Sequence, residues 1–143
     1  MPASLSGGQS AMGKQTIEVR QVGGALGAEI AGVDLAQPLD DAAIAAIRQA
    51  LLDHLVVFFR DQDITPAQHL AFARCFGETA EYPMLNGLEE YPEIVEVVKL
   101  EHEKANFGGA WHSDTAYLDT PPMGSILVAR EVPEAGGDTE FAN

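Results

Sequence analysis

The sequence predicts a mixed α+β domain built around β-structure. Two amphipathic segments with helix-capping signals lie in the first half of the chain, and short β-branched or aromatic runs separated by turn residues dominate the second half. The chain has 143 residues, of which 46% are hydrophobic and 21% charged, so it is long enough for one domain with a real core.

The predicted domain begins after a polar tail. Residues 1–15 are small and polar and predict a disordered segment, which leaves residues 16–143 for the domain. "TIEVRQV" then alternates in the manner of a half-buried strand, and the glycines of "GGALGAEIAGVDL" predict further strand with tight turns.

Two helices and a strand between them are predicted next. Asp40 is the expected cap of the first helix. One apolar stripe repeats along that helix at every third or fourth residue: Ile44, Ile47, Leu51 and Leu55. "LVVFFR" then predicts a buried strand, and a second helix follows with Thr65 as its cap, Gln68 completing a capping box and Gly77 at its end.

Beyond the helices, "EIVEVVKL" and "SILVAREV" predict two more strands. "PEAGGDTEFAN" predicts a turn with the start of another strand. The motif "NFGGAWHSDTAY" lies between the two predicted strands and is expected to run along a strand itself.

Charge and composition exclude several classes of protein. Eight basic against 22 acidic residues give a net charge of −14, which repels phosphate backbones and anionic lipid, so neither a nucleic acid nor a membrane is an expected partner. The single cysteine, Cys75, lies among apolar residues and is expected to be a buried thiol. Neither a signal peptide nor a membrane-spanning run is visible, which favours a cytoplasmic protein.

The motif places a histidine and an aspartate two residues apart. On a strand, His112 and Asp114 would share one face and could bind one divalent cation, as two members of the 2-His-1-carboxylate set of non-haem iron oxygenases. A hydrogen-bonded pair on an exposed strand is the alternative that this spacing leaves open.

The whole stretch "NFGGAWHSDTAYLDTPPMGSILVAREVPEAGGDTEFAN" resembles the Fe(II)/2-oxoglutarate-dependent dioxygenases of the taurine dioxygenase (TauD/TfdA) family. The resemblance includes "GALGAEIAGVDLAQPLDD" and "HLVVFFRDQDITPAQHLAFARCFGE" and runs from about residue 16 to the last residue. It implies that His112 and Asp114 are two ligands of Fe(II), and that Thr139 in "GGDT" hydrogen-bonds a carboxylate of the co-substrate 2-oxoglutarate. Trp111 is expected to pack in the core behind the metal strand, and Tyr117 in the core or at the pocket wall.

The family implies an enzyme that hydroxylates a small organic acid with O2, while 2-oxoglutarate is decarboxylated to succinate. Sulfonates, sulfate esters and aryloxyacetates are the implied substrates. Taurine itself is not expected, because Tyr82 and Gly108 stand where taurine dioxygenases have a histidine and an asparagine. Tyr82 and Asn106 are the candidate pocket-lining residues, with a loop anchor and a turn former as their alternatives.

The implied fold is a double-stranded β-helix, a jelly roll with flanking helices, of which this chain holds the N-terminal half. Family members are longer, and their second iron histidine and 2-oxoglutarate arginine lie in the other half; His102 alone stays open as a substitute ligand. The chain is therefore expected to be inactive by itself, and a non-catalytic binding module is the alternative. A homo-oligomer is an option that the family leaves open, although no feature of the sequence marks an interface.

Overall fold

The computed structural model describes residues 16–104 and 107–143. These residues form β1 (Glu18–Gln21), β2 (Ala28–Ala31), α1 (Asp41–His54), β3 (Val57–Phe59) and α2 (Pro66–Arg74). They divide into two compact units, one of residues 16–33 and 39–60, the other of residues 34–38 and 61–143. The predicted tail of residues 1–15 and the candidate pocket residue Asn106 lie outside the described residues.

The first unit contains a three-stranded sheet in the order β1-β2-β3. β1 pairs with β2 in antiparallel register, and β2 pairs with β3 in parallel. The turn between β1 and β2 depends on Gly27, whose φ of 99° is strained for any residue with a Cβ. β1 is exposed along its whole length, so the prediction of a half-buried strand is wrong there: β1 is an edge strand, held by pairing and by the ion pair of Arg20 with Glu29 at 3.0 Å.

Helix α1 begins where the sequence predicts it. The Asp40 side chain accepts a hydrogen bond from the Ala43 amide at 2.7 Å, which confirms the cap. The buried face, however, is formed by Ala43, Ile47 and Ala50, and Leu55 lies past the helix end, half-exposed. Of the predicted stripe only Ile47 is fully buried, because small alanines let the helix lie close against the sheet.

The second unit contains α2 and a small apolar core. The capping box is confirmed: the Gln68 amide donates to the Thr65 hydroxyl at 3.3 Å, and the Thr65 amide donates to the Gln68 side chain at 2.8 Å. The buried apolar residues of this unit are Leu35, Ile64, Leu70 and Phe72.

Two predictions at the end of α2 are wrong. The helix ends at Arg74 rather than at Gly77. Cys75 caps it, and the backbone N–H of Cys75 donates a hydrogen bond to the carbonyl of Phe72. Cys75 is also exposed instead of buried, because its side chain lies on the helix surface and its thiol reaches back to the carbonyl of Ala71.

No strand forms after α2 in the described residues, so the strands predicted for "EIVEVVKL" and "SILVAREV" are absent there. A β-branched run becomes a strand only when a neighbouring strand takes its backbone hydrogen bonds, and these segments have none in the described part of the chain. The mixed α+β composition is confirmed by the small sheet and two helices, which amount to part of a domain. Among the described residues, no helix has the length and apolar character needed to cross a membrane.

Candidate metal site

The imidazole of His112 is oriented from both of its nitrogens. Nδ1 lies 2.7 Å from the carbonyl oxygen of Ala110, and Nε2 lies 3.1 Å from Oδ1 of Asp114. The side chains of His112 and Asp114 therefore lie in direct contact.

Both neighbours of the His112 ring are hydrogen-bond acceptors. A neutral imidazole carries one N–H, so it can donate to Ala110 or to Asp114 but not to both. The shorter contact assigns the proton to Nδ1, and the Nε2 lone pair then faces a carboxylate oxygen. A divalent cation bound to both atoms would pair with that lone pair and with the carboxylate.

The Asp114 carboxylate is also held from its far side. Ser125 donates its hydroxyl to Oδ2 at 3.1 Å, which leaves Oδ1 directed at the His112 ring. Backbone and hydroxyl partners of this kind fix the orientation of metal ligands in known sites.

The donor set fits a divalent metal. Two ligand atoms that each lie about 2.1 Å from a metal at a right angle are about 3.0 Å apart. The observed 3.1 Å between Nε2 and Oδ1 is close to that separation and is equally the length of a direct hydrogen bond. Both side chains are more than half exposed, at 53% and 58%, which leaves room for further ligands. Within the described ranges no group of three or more potential ligands is present, so the pair supplies two.

An open cleft of about 580 Å³ lies beside the His112 ring. It is lined by Lys104, Gly108, Gly109, Ala110 and His112. Gly108 has a φ of 67°, and a Cβ added there would lie 3.1 Å from Cε1 of His112. The backbone of Gly108 therefore lies directly against the ring, with too little space for a Cβ between them, and Lys104 is the basic residue among those that line the cleft.

The predicted strand at the motif is wrong in the described residues. His112 lies in backbone that is neither helix nor strand, and Thr115, buried with a φ of 38°, turns the chain immediately after Asp114. The Thr115 carbonyl then accepts the amide of Leu118 at 3.1 Å. The ligand pair is thus held by a turn and by side-chain hydrogen bonds rather than by a sheet.

Trp111 was expected in the core but is 70% exposed, and Tyr117 is 63% exposed. Both lie in the part of the chain where no strand forms, so no layer of described residues covers them. The core prediction for Trp111 is wrong for this structure, and of the two places expected for Tyr117 the core is excluded.

The remaining predicted site residues lie outside the cleft. Tyr82 is half-buried, and its carbonyl accepts the Leu85 amide at 3.4 Å, which fits the alternative of a loop anchor. Thr139 is exposed and follows Gly136 and Gly137, whose φ values of 80° and 76° form the predicted turn. Neither Tyr82 nor Thr139 lines the cleft beside His112.

Ser125 and Lys104 lie at the site but were not predicted as site residues. Ser125 lies eleven residues after Asp114 in a segment expected to be strand, and its hydroxyl has no pattern that marks it. Lys104 belongs to a charged loop whose side chains were all expected to be exposed to solvent. The scarcity of lysine, in a chain with eight basic residues, was the available signal.

Comparison with known proteins gives a consistent result along most of the chain. A family model described as "Taurine catabolism dioxygenase TauD, TfdA family" matches residues 18–143. An alkylsulfatase of Acinetobacter baylyi is 35% identical over 130 residues, which cover 90% of this chain and 40% of that protein. An α-ketoglutarate-dependent sulfate ester dioxygenase of Pseudomonas putida is 34% identical over 128 residues, which cover 89% of this chain and 42% of that protein.

A solved structure is similar as well. A taurine dioxygenase from Burkholderia xenovorans matches with a TM-score of 0.50 and 44% identity, over 53% of this chain and 28% of that one. The chain spans about two fifths of the length of the two curated relatives, 40% and 42%.

Proposed function

This chain belongs to the TauD/TfdA dioxygenase family, and we propose that it carries the metal-binding motif of an Fe(II)- and 2-oxoglutarate-dependent dioxygenase. The observation that supports the proposal is the pair of His112 and Asp114, with Nε2 and Oδ1 3.1 Å apart and their outer atoms bonded to Ala110 and Ser125. When bound, Fe(II) supplies the coordination positions at which O2 and 2-oxoglutarate meet.

The chain's own residues would bind and orient. His112 would offer Nε2 because its Nδ1–H donates to Ala110, and Asp114 would offer Oδ1 because Ser125 occupies Oδ2. The Thr139 hydroxyl would donate to a carboxylate of 2-oxoglutarate. That role follows from its place in the family motif and needs a conformation in which residues 136–139 approach His112.

The proposed substrate is a small organic acid of the sulfate ester, sulfonate or aryloxyacetate class. The two curated relatives are by name an alkylsulfatase and a sulfate ester dioxygenase, which favours the sulfate esters. Lys104 supports an anionic substrate, since it is the cation that lines the cleft beside His112. Tyr82 and Asn106 are further proposed contacts.

The complete site needs more than the described residues offer. We propose that the catalytic fold is a jelly roll and that a third ligand and an arginine for 2-oxoglutarate come from segments outside this chain. The described residues by themselves provide two ligands, which hold iron weakly, so the chain alone is proposed to be inactive.

The test is the visible charge-transfer band that Fe(II) and 2-oxoglutarate form together in the absence of O2. The protein is isolated from the cells that make it, and its intact mass is compared with the 15.2 kDa of this chain. The proposal predicts the band in an isolated protein whose mass exceeds that of this chain, its loss in His112→Ala and its retention in the matched control His54→Ala. A non-catalytic binding module would show no band in any of the three.

A further inference from the structure

Helix α2 holds a histidine that the proposed chemistry does not use. His69 lies four residues after the capping residue Thr65, on a helix whose start is fixed by the capping box. Its ring is half-buried, and Nε2 lies 3.1 Å from the carbonyl oxygen of Ile126. Because a carbonyl only accepts, the Nε2–H of His69 is the donor.

The acceptor of that bond is the neighbour of a site residue. Ile126 follows Ser125 directly, and the Ser125 hydroxyl donates to Oδ2 of Asp114 at 3.1 Å. A path of two hydrogen bonds and one residue of backbone therefore joins α2 to the carboxylate that is proposed to bind iron. All of its members lie in the second compact unit.

This path is important because regular secondary structure does not hold the backbone around Ser125. Described residues 119–143 contain no helix or strand, so the regular hydrogen bonds of a sheet do not orient the Ser125 side chain. The His69 bond holds the carbonyl of the Ile126–Leu127 peptide unit against a capped helix, which restrains the backbone one residue after Ser125. The position of the Ser125 hydroxyl, and with it of Oδ2, then depends on the helix.

We propose that His69 is a positioning residue for the Asp114 carboxylate, acting from α2 through the Ile126 carbonyl and the Ser125 hydroxyl. The proposal rests on the proposed function in so far as Asp114 binds a metal. Loss of a hydrogen-bonding partner of a metal ligand typically lowers metal affinity by about 10-fold to 100-fold. His69 is one hydrogen bond and one residue further from the metal ligand than Ser125 is. Removal of its donor is therefore expected to lower metal affinity by about tenfold, the lower end of that range.

The test is a double-mutant cycle on the full chain with Co(II) as the probe, read by its visible spectrum and its Kd. His69→Leu removes the donor and should weaken Co(II) binding by about tenfold, whereas His69→Gln keeps an N–H donor and should stay close to the wild type. In the background of Ser125→Ala, His69→Leu should have no further effect. His54→Leu, at the end of α1 in the other compact unit, is the matched control.

Three results would overturn the proposal: unchanged affinity in His69→Leu, equal losses in the leucine and glutamine variants, or additive effects of His69→Leu and Ser125→Ala. A metal-free readout separates this proposal from the proposed function. The ¹³C resonance of the Asp114 carboxyl should shift in His69→Leu and return in His69→Gln, even if Co(II) does not bind. An unmoved resonance contradicts the positioning role, whereas failure of Co(II) to bind contradicts only the metal site.

Discussion

Adding one methyl group at Gly108 is expected to displace the His112 ring. The new Cβ would lie 3.1 Å from Cε1 and 3.7 Å from Nε2 of His112. Carbon atoms in contact prefer about 3.5–4.0 Å, so the ring must move by about 0.5 Å. The φ of 67° at this position adds a backbone strain of about 1–2 kcal/mol for a residue with a Cβ.

The displaced ring cannot keep both of its contacts. A shift of this size breaks either the 2.7 Å bond to Ala110 or the 3.1 Å approach to Asp114. Gly108→Ala should therefore lower the affinity for Zn(II) by about tenfold in isothermal titration calorimetry.

Two other glycines separate the causes. Gly136 has a φ of 80° but no atom within 4 Å of an added Cβ, so Gly136→Ala tests the strain alone. Gly124 has open space for a Cβ and no positive φ, so Gly124→Ala introduces neither the contact nor the strain and is the control for both. Both variants should bind Zn(II) like the wild type. If Gly108→Ala also binds like the wild type, or if Gly136→Ala loses as much affinity, the reasoning about the His112 contact is refuted.

Three further predictions concern stability and the cleft. Thr65→Ala removes the capping box of α2 and should lower the free energy of unfolding in urea by about 1 kcal/mol; no loss would mean that the cap does not matter. Burial, with a smaller contribution from Arg130, lowers the pKa of His69 below its ordinary 6.5 although its backbone hydrogen bond acts in the opposite direction. The unfolded chain therefore takes up this proton at a higher pH than the folded chain. The free energy of unfolding should fall as the pH drops below about 6.5. His69→Gln should remove this pH-dependent part of the free energy of unfolding measured in urea. Lys104→Gln should weaken the binding of hexyl sulfate by about threefold in calorimetry, whereas Lys99→Gln, which removes the same charge outside the cleft, should not; equal losses would show a long-range charge effect only.

Local signals made the first half of the fold predictable. The caps at Asp40 and Thr65 satisfy backbone amides within three residues, so their geometry depends on neighbouring sequence alone. The turn at Gly27 likewise needs only a residue without a Cβ. The buried face of α1 was predicted less well, because which side of a helix meets the sheet depends on contacts far away in the sequence.

The second half depends on partners that local sequence cannot supply. "SILVAREV" has the composition of a strand, but composition cannot say whether a neighbouring strand is present. Trp111 was assigned to the core for its size, yet burial requires a second layer to cover it. Both errors arise from non-local packing.

The candidate site was predictable only where it depends on local sequence. The closeness of His112 and Asp114 follows from their spacing of two, whether the backbone is a strand or an extended loop. The bonds from Ala110 and Ser125 could not be anticipated, because a carbonyl and a serine hydroxyl have no distinctive sequence pattern. The roles of Thr139, Tyr82 and Asn106 stay predictions.

The most direct test of the central claim is ¹⁵N NMR of the histidine rings during a titration with Zn(II). If His112 is a metal ligand, the resonance of its Nε2 should move to the shift of a metal-bound nitrogen while Nδ1 keeps its proton, and the rings of His54, His69 and His102 should not respond. Asp114→Asn should weaken this response without moving it to another histidine. A His112 ring that Zn(II) leaves unchanged, at concentrations where His102 or another histidine responds, would contradict the account and leave an exposed hydrogen-bonded pair in place of a metal site.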